Sequence, residues 1–395
     1  MKDILVVHDN LMVKGGAEAV CMNTIEALQD QFNVELLTRQ EFDPDELNSY
    51  YSTDVSDITV RRNRVVDWLF DFIQSIPGPD FAMLEEATYS NIRSKIVPSY
   101  DLIISMKNEI SVGVGSIQYI HFPKTGRDNK HKSYTRDRYT GPLAASYERL
   151  CGFIESDVKD KHADYVANSE WTAEIAAERL GTDVSVVYPP VYTDDINPKP
   201  WSDRKNRILT IGRITPYKNI MRNIEIVSRL RDQGHSIHYD IVGPPENNKE
   251  SKDLLKKVKR SVAKNSFISY HGEVSRGELV EMLSSYKYGL HGMDNEHFGI
   301  AVAELVAGGT IPFVPRGGGQ CEVVGDTEAV LYDSIEEAVE KINQILNDEE
   351  LQEKVQTRLP NVDTRFGRDR FQEEMRELVN TKLRTLNTGT DVMSR

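Results

Sequence analysis

The chain contains little cysteine. Among 395 residues it has only Cys21, Cys151 and Cys321, which are odd in number, far apart and without the paired spacing of zinc ligands. Disulfide-rich domains and zinc-binding domains both need closely spaced cysteines. The sequence therefore predicts neither a disulfide framework nor a metal site, and it is typical of a protein from a reducing compartment.

Long apolar runs are also absent. The N-terminus passes from Met1-Lys2-Asp3 directly into Ile4–Val7, which indicates a buried first strand rather than the longer apolar region of a signal peptide. The apolar stretch 102–120 is interrupted by Lys107 and Glu109, whereas a membrane-spanning helix needs about 20 apolar residues. We expect a cytoplasmic protein that is not integral to a membrane, although contact with the inner face of one stays open.

Positive charge is in deficit. The chain has 48 lysines and arginines against 62 aspartates and glutamates, a formal net charge of −14. Proteins that bind nucleic acids without sequence specificity neutralise the phosphates with clustered cations. We therefore expect no nucleic-acid partner.

Short apolar runs alternate with amphipathic, helix-length segments along the whole chain, a pattern that predicts parallel sheets covered by helices. Its length favours two domains. The predicted strands of the first half are Ile4–His8, Val34–Thr38, Leu102–Ser105, Gln118–His121, Tyr165–Asn168 and Ser185–Val187. Those of the second half are Arg207–Ile211, His238–Val242, Ser266–Tyr270, Gly289–His291 and Ile311–Val314.

The domain boundaries follow from a proline-rich stretch without periodicity. We predict an N-terminal domain over residues 1–190, a linker over 191–206 and a C-terminal domain over 207–365. A last helix, 368–385, is expected to pack back on the first domain, and the tail 387–395 to fray. Two doubly wound domains joined in this way would face each other across a cleft, and such sheets bind ligands beyond the carboxyl ends of their strands.

The strongest local motif is EHFGIAVAE, residues 296–304, which places Glu296 and Glu304 eight positions apart. A helix that starts near Gly299 would put Glu296 in the preceding loop and Glu304 on the second turn. The amides of Phe298, Gly299 and Ile300 would then lie at a helix N-terminus, which attracts phosphate or sugar hydroxyls. A helix cap and a solvated helix face would explain the same two carboxylates.

This segment resembles the E-x7-E motif of glycosyltransferase family 4, also called glycosyl transferases group 1. Its flanks match as well, with the small residues 307–310, an apolar strand, and a glycine loop at 317–319 that leads to Glu322. The resemblance implies the GT-B fold of two Rossmann-like domains. It also implies that Glu304 binds the ribose of a nucleotide sugar, that Glu296 lies by the donor sugar, and that the loop amides hold sugar and phosphate.

A second motif, GRITPYK, follows the first strand of the C-terminal domain. Arg213 and Lys218 lie five positions apart in a strand-to-helix loop, where two cations can converge on a pyrophosphate and neutralise the charge of a departing diphosphate. The same G-R-x4-K arrangement binds the diphosphate in the family that the chain resembles. Two unrelated charges in a solvated loop are the alternative.

The N-terminal half contributes two further candidates. Gly15 and Gly16 begin a helix and resemble the family's glycine pair, whose backbone lines the donor phosphates and the acceptor, although a tight turn would use the same residues. The Gly-x-Gly-x-x-Gly fingerprint of dinucleotide-binding enzymes is absent at this turn. His121 follows a strand and resembles the family's cleft histidine, which positions the donor sugar; a structural histidine is the alternative.

These residues predict a retaining, metal-independent glycosyltransferase that needs no cofactor and uses a nucleoside diphosphate sugar as co-substrate. Its acceptor would be a hydroxyl of a lipid-linked or polysaccharide glycan. The segment from Tyr119 to Pro123 is similar to mannosyltransferases of lipid-linked glycan assembly, which indicates GDP-mannose. The alternatives are a non-catalytic sugar-nucleotide-binding or scaffold subunit, and an epimerase or phosphorylase of the same fold.

Three other segments bear on this prediction. Asp43-Pro44-Asp45 superficially matches the metal-binding Asp-x-Asp of another glycosyltransferase fold, but proline in an acidic loop favours an ordinary turn. Residues 61–73 mix arginines with bulky apolar side chains, which favours packing in the core, with contact to anionic lipid as the alternative. The loop 125–140 is expected to contact the acceptor.

Overall fold

The computed structural model describes residues 1–56, 58–61, 100–110, 115–123 and 163–393, with side chains up to 387. The chain divides into two compact units. Unit 1 comprises Met1–Pro190 together with Arg368–Arg395, and unit 2 comprises Val191–Gly367.

Unit 1 is built on a parallel sheet of seven strands in the order β3-β2-β1-β4-β5-β6-β7. The strands are β1 Asp3–Val7, β2 Asn33–Leu37, β3 Thr59–Arg61, β4 Leu102–Ser105, β5 Ser116–Ile120, β6 Ala163–Ala167 and β7 Val184–Val186. The helices described between them are α1 Gly16–Leu28, α2 Pro44–Tyr51 and α3 Glu170–Leu180. The central strands β4 and β5 are buried along their whole length, as continuous apolar runs in a parallel sheet require.

Unit 2 repeats this architecture with six parallel strands in the order β10-β9-β8-β11-β12-β13. The strands are β8 Lys205–Ile211, β9 His238–Val242, β10 Ile268–Gly272, β11 Tyr286–Leu290, β12 Ile311–Pro315 and β13 Leu331–Tyr332. The helices are α4 Ile220–Asp232, α5 Lys249–Lys264, α6 Arg276–Ser285, α7 Ile300–Ala307, α8 Gln320–Val323, α9 Ile335–Asn347, α10 Glu349–Arg358 and α11 Val362–Phe366.

The direction of strand order reverses between β1 and β4 in unit 1 and between β8 and β11 in unit 2. Loops that leave neighbouring strands at such a point diverge to opposite faces of the sheet and leave a crevice at the carboxyl ends. The loops that follow β8 and β11 contain Arg213, Lys218 and Glu296. The topology of unit 2 thus brings both predicted motifs to its switch point.

The last helix, α12 Arg368–Met393, belongs to unit 1 and packs against α1. Phe371, Met375 and Val379 are fully buried in the same apolar cluster as the first strand. Their spacing places them on one helix face. The helix includes residues 387–393, for which the sequence suggested a frayed tail.

Truncating Phe371 tests how strongly this helix holds unit 1 together. The ring is 0% exposed and lies edge-on to Tyr119 with centroids 6.4 Å apart. We expect Phe371→Ala to lower the free energy of unfolding by about 3–5 kcal/mol, because it removes a buried aromatic ring and leaves a cavity. Urea unfolding measures this, with Glu377→Ala on the exposed face of α12 as the control, expected within about 0.5 kcal/mol of wild type. Equal midpoints for the two variants would contradict the packing.

The segment 191–206 is part of unit 2. Ile196 is only 7% exposed and packs in an apolar cluster with Leu209 and Leu305, while Lys205 already begins β8. An apolar side chain within a polar, proline-containing stretch is what fixes it there.

The prediction of an ordinary turn at Asp43-Pro44-Asp45 was wrong. Asp43 is the N-cap of α2, where its carboxylate accepts from the Asp45 and Glu46 amides, and Pro44 is the first helical residue. Proline suits that position because its missing N–H has no intrahelical acceptor there. Ser169 is likewise an N-cap, since its hydroxyl accepts from the Thr172 amide at the start of α3.

Within the described ranges, no helix has the length and apolar character needed to cross a membrane. Residues 62–73 and the loop 125–140 lie outside the described residues. Arg61, which ends β3, forms an ion pair with Glu35.

Candidate active site

The loop between β8 and α4 carries the two predicted cations. It leaves the strand through Gly212, whose φ of 149° favours glycine, and passes under Gly243 at the end of β9. A Cβ on Gly243 would lie 2.1 Å from the Gly212 carbonyl oxygen, so the two backbones pack as closely as glycine allows. This contact fixes the path of the loop before it reaches Arg213.

Arg213 and Tyr217 both bind one carboxylate, that of Glu246 beyond β9. The guanidinium Nη1 of Arg213 lies 3.1 Å from Glu246 Oε1, and the Tyr217 hydroxyl donates to the same oxygen at 2.6 Å. Asn248 donates to the other oxygen at 2.9 Å. Because the Arg213 side chain is 51% exposed, its charge faces solvent and remains accessible to a ligand.

Lys218 and Glu296 form a mostly buried ion pair across the switch point. The ammonium Nζ of Lys218 lies 2.5 Å from Glu296 Oε2, and the two side chains are 17% and 14% exposed. His291, which follows β11 and is 3% exposed, places Nε2 3.3 Å from the same oxygen. A cation, a carboxylate and an imidazole therefore meet where β8 and β11 end.

Burial raises the pKa of Glu296, but the charge of Lys218 and the neighbouring His291 outweigh it, so this pKa lies well below its ordinary value. Burial lowers the pKa of His291, which Glu296 partly opposes. At neutral pH Glu296 is thus a carboxylate and His291 a neutral imidazole.

The glycine loop after β12 supports Glu296 from its other side. Gly318 and Glu296 form a backbone bridge, and the Gly319 amide donates to the Glu296 carbonyl at 2.8 Å. Three residues after Glu296, Gly299, with a φ of 103°, caps α7. The first amides of α7 have no acceptor within the helix, so they and the helix dipole favour an anion beside Glu296.

Gly318→Ala is expected to destabilise unit 2 through this bridge. Its φ is 81°, and a Cβ would lie 2.3 Å from the Glu296 carbonyl oxygen. Gly234→Ala is the matched control, because its φ is also positive, at 95°, but a Cβ there meets no atom within 4 Å. Both variants carry the backbone strain of about 1–2 kcal/mol, and the clash should cost Gly318→Ala about 1–3 kcal/mol more. Urea midpoints measure the difference; an equal loss in both variants would exclude a tight loop at Glu296.

Glu304 lies on α7 with its side chain 16% exposed. Its Oε1 accepts from Arg276 Nη1 at 2.5 Å, and Arg276 also binds Asp195. Burial raises the pKa of Glu304, while the charge of Arg276 lowers it.

The remaining candidates belong to unit 1. Gly15 is the N-cap of α1 and Gly16 its first residue; the Gly15 amide donates to the Glu18 carboxylate at 2.8 Å. His121 follows β5, and its Nε2 donates to the Met106 carbonyl at 3.1 Å. Asn108 accepts from the His121 amide at 2.6 Å, which holds this residue at the carboxyl end of the sheet.

The structure therefore brings Lys218 and Glu296 into contact and places Arg213 on the same loop as Lys218. Phe298 is 3% exposed and its ring packs edge-on to Phe366 with centroids 5.2 Å apart, so its side chain belongs to the core. Within the described residues, no group of three or more histidine, cysteine, aspartate or glutamate side chains is placed to hold a metal ion.

The sequence of unit 2 has known relatives. Residues 192–361 match the family model described as glycosyl transferases group 1. Unit 2 is a glycosyl transferases group 1 domain. The two glutamates of the motif and the two cations of the β8–α4 loop all lie within this domain.

Two relatives whose matches extend beyond unit 2 share one description, GDP-Man:Man(3)GlcNAc(2)-PP-Dol alpha-1,2-mannosyltransferase. The protein from Dictyostelium discoideum is 26% identical over 310 residues, which cover 69% of this chain and 61% of that protein. The protein from Caenorhabditis elegans is 26% identical over 428 residues, which cover 94% of this chain and 89% of that protein. The match thus spans less than two thirds of the Dictyostelium protein.

Solved structures resemble the chain over nearly its whole length. HepE from Anabaena, in complex with UDP and glucose, has a TM-score of 0.65 at 15% identity and covers 96% of this chain and 100% of that one. WaaG, a glycosyltransferase involved in lipopolysaccharide biosynthesis, has a TM-score of 0.58 at 14% identity and covers 90% and 93%. The fold is GT-B, with two Rossmann-like domains, as the sequence predicted.

Sequence reasoning missed four side chains that support the group 1 domain's motifs: Asp195, Glu246, Arg276 and His291. Glu246, Arg276 and His291 contact Arg213, Glu304 and Glu296 respectively, and Asp195 reaches Glu304 through Arg276. Arg276 alone had a local signal, since Ser275 and Glu278 form a capping box at the start of α6. That signal locates a helix end and says nothing about Glu304.

Proposed function

We propose that this protein is a retaining mannosyltransferase that moves mannose from GDP-mannose to a hydroxyl of a lipid-linked glycan. The group 1 domain and relatives described as GDP-mannose-dependent enzymes with a PP-Dol-linked substrate support this proposal. We place the chain in glycosyltransferase family 4 on the E-x7-E and G-R-x4-K motifs.

One observation carries the proposal: the meeting of Lys218, Glu296 and the N-terminus of α7 at the switch point of unit 2. Arg213 lies on the same loop as Lys218 and exposes half of its side chain. Two cations and a row of helix amides at one sheet edge suit a diphosphate, whose charge they can neutralise without a metal ion.

The chemistry follows from where charge develops. Transfer breaks the bond between the anomeric carbon of mannose and the β-phosphate oxygen, and the leaving GDP takes the bonding electrons. Lys218, Arg213 and the α7 amides stabilise the growing negative charge on the diphosphate. The acceptor oxygen forms the new bond to the anomeric carbon, and its proton passes to the leaving phosphate.

The other candidates serve binding and orientation. Glu304 accepts hydrogen bonds from the ribose hydroxyls, and Glu296 orients the donor sugar while it holds the Lys218 ammonium in place. His121 positions the donor sugar, and the Gly15-Gly16 backbone lines the donor phosphates and the acceptor. These roles come from the family resemblance, and each can be tested by substitution.

A screen of nucleotides identifies the donor. In thermal-shift measurements GDP-mannose should raise the melting temperature of the protein more than UDP-glucose or dTDP-glucose at equal concentration, because a ligand that binds the folded state stabilises it. Equal shifts would remove GDP-mannose as the proposed donor, and no shift with any sugar nucleotide would remove the function.

The product and its dependence on metal test the reaction itself. Transfer to a lipid-linked acceptor should continue in excess EDTA, and the proton-coupled carbon signal of the product should show the α-anomer. A β-linked product would contradict retention, and activity restored only by a divalent cation would contradict the metal-free mechanism. If the protein binds GDP-mannose but transfers mannose to none of the acceptors, that result would favour a scaffold subunit.

We propose further that the enzyme works at the cytoplasmic face of a membrane, where a lipid-linked acceptor is presented. Flotation with vesicles of anionic phospholipid at low salt tests this. If the protein stays in the dense fraction, it does not bind the bilayer. The glycan of the acceptor would then have to reach the enzyme from the membrane.

A further inference from the structure

Arg276 begins α6 and forms an ion-pair network within unit 2 that the sequence motifs do not include. Its Nε and Nη2 each bind one oxygen of Asp195 at 2.9 Å, and Nη2 also donates to the Tyr192 carbonyl at 3.1 Å. The remaining nitrogen, Nη1, donates to Glu304 Oε1 at 2.5 Å. The fork holds Asp195 through both of its oxygens, while the third nitrogen directs one hydrogen bond to Glu304.

The far end of the network is anchored in the fold. Asp195 precedes Ile196, whose side chain is buried in the cluster shared with Leu209 and Leu305. The Ile196 amide donates to the Thr193 carbonyl at 2.9 Å and closes a tight turn, and the Thr193 hydroxyl donates to Asp363 at 3.1 Å. The orientation of Arg276 is therefore set by a rigid segment.

We propose that Arg276, held by Asp195, is a positioning residue that orients the Glu304 carboxylate to accept hydrogen bonds from the ribose hydroxyls of the donor. This rests on the proposed function, in which Glu304 binds ribose. It deepens that function by naming the groups that make Glu304 selective for a ribonucleotide. With Arg276 bound to Oε1, the carboxylate is fixed in rotation and its remaining lone pairs keep one direction.

The same arrangement governs the charge of Glu304. Burial raises the pKa of Glu304, Arg276 lowers it, and Asp195 raises it. Of the other charged groups on the elements packed against α7, Asp363 binds the Thr193 hydroxyl, Arg365 donates to the Glu322 carbonyl, and Glu322 lies on α8. A carboxylate accepts two hydroxyl hydrogen bonds only when it is ionised, so loss of Arg276 should weaken ribose binding in two ways.

The test compares GDP with 2′-deoxy-GDP by titration calorimetry on the full chain. Wild type should bind GDP about 10- to 100-fold more tightly, the worth of a hydrogen bond to a charged group. Arg276→Met should reduce that preference to less than threefold, whereas Arg276→Lys should keep part of it. The preference of Asp195→Asn should lie between those of Arg276→Lys and wild type. Arg229→Met is the matched control, because Arg229 also binds two carboxylates, Glu225 and Glu336, on an exposed helix face.

A pH series adds a readout that a merely structural role would not move. Because the pKa of Glu304 is raised, the preference for GDP should be present at high pH and disappear as the pH falls through that pKa. Without Arg276 the pKa rises further, so any preference that Arg276→Lys or Arg276→Met retains should be lost at a higher pH than in wild type.

The outcomes separate this inference from the proposed function. If Glu304→Ala abolishes the preference for GDP while a folded Arg276→Met keeps it in full, the positioning role is wrong and the ribose site stands. If wild type fails to distinguish the two nucleotides, the assignment of Glu304 to ribose fails and the inference falls with it. Circular dichroism and melting temperature show that each variant is folded, and Asp195→Asn tests the network even where Arg276→Met does not fold.

Discussion

Replacing Lys218 with methionine is expected to lower the rate of mannose transfer at saturating donor by a factor of about 10²–10³. Removing one preorganised donor that faces developing charge costs about 2.7–4 kcal/mol in the transition state. The Lys218 ammonium is mostly buried and is held by Glu296, so it needs little reorganisation when the diphosphate leaves. Single-turnover kinetics measure the effect on the chemical step.

The ion pair requires a further control. Lys218→Met leaves the Glu296 carboxylate buried without its cation, which can destabilise a fold by about 3–5 kcal/mol. The double variant Lys218→Met/Glu296→Gln removes both charges and should regain stability without regaining turnover. Lys252→Met, on the exposed face of α5, should leave both unchanged. Recovery of activity in the double variant would show that Lys218 serves only the fold.

Truncation of the two motif glutamates should affect different kinetic parameters. Glu304→Ala should weaken binding of GDP-mannose by about 10- to 100-fold, because it removes a charged acceptor for the ribose hydroxyls. Glu296→Ala should lower kcat by about 10²-fold with a smaller change in donor affinity, because Lys218 and the donor sugar lose their common support. Calorimetric Kd values and steady-state kcat values provide the comparison.

If both variants keep wild-type transfer rates, these residues do not form the site. If Glu296→Ala weakens binding more than Glu304→Ala does, the two roles must be exchanged. In Glu304→Ala, Nη1 of Arg276 loses its carboxylate partner. The stability of that variant therefore needs to be measured together with its affinity.

Much of the fold could be predicted because its signals are local. The apolar run at residues 4–7 and the run at 311–314 each form a buried strand, and the helical period of residues 335–347 corresponds to α9. The alternation of strands and helices predicts doubly wound parallel sheets, and such sheets bind ligands at a switch point. This is why Lys218 and Glu296, which are 78 positions apart, could be expected at one site.

What the sequence did not predict depends on contacts that have no local signal. The stretch 191–206 has the composition of a linker, but its buried side chains Val191, Ile196 and Arg204 fix it in unit 2. Asp195 gains its role only because Arg276 lies opposite it in the folded chain. The turn predicted at Asp43 fails for a different reason, since N-caps and turns favour the same residue types and only the following residues decide between them.

The central claim is that Arg213, Lys218 and the N-terminus of α7 hold a diphosphate without a metal ion. Titration calorimetry of guanosine and GDP in excess EDTA tests it most directly, with wild type and the Arg213→Met/Lys218→Met double variant. The account predicts that wild type strongly prefers GDP over guanosine and that the double variant loses most of this preference while its affinity for guanosine stays the same. A folded double variant that keeps the full preference for GDP would contradict it.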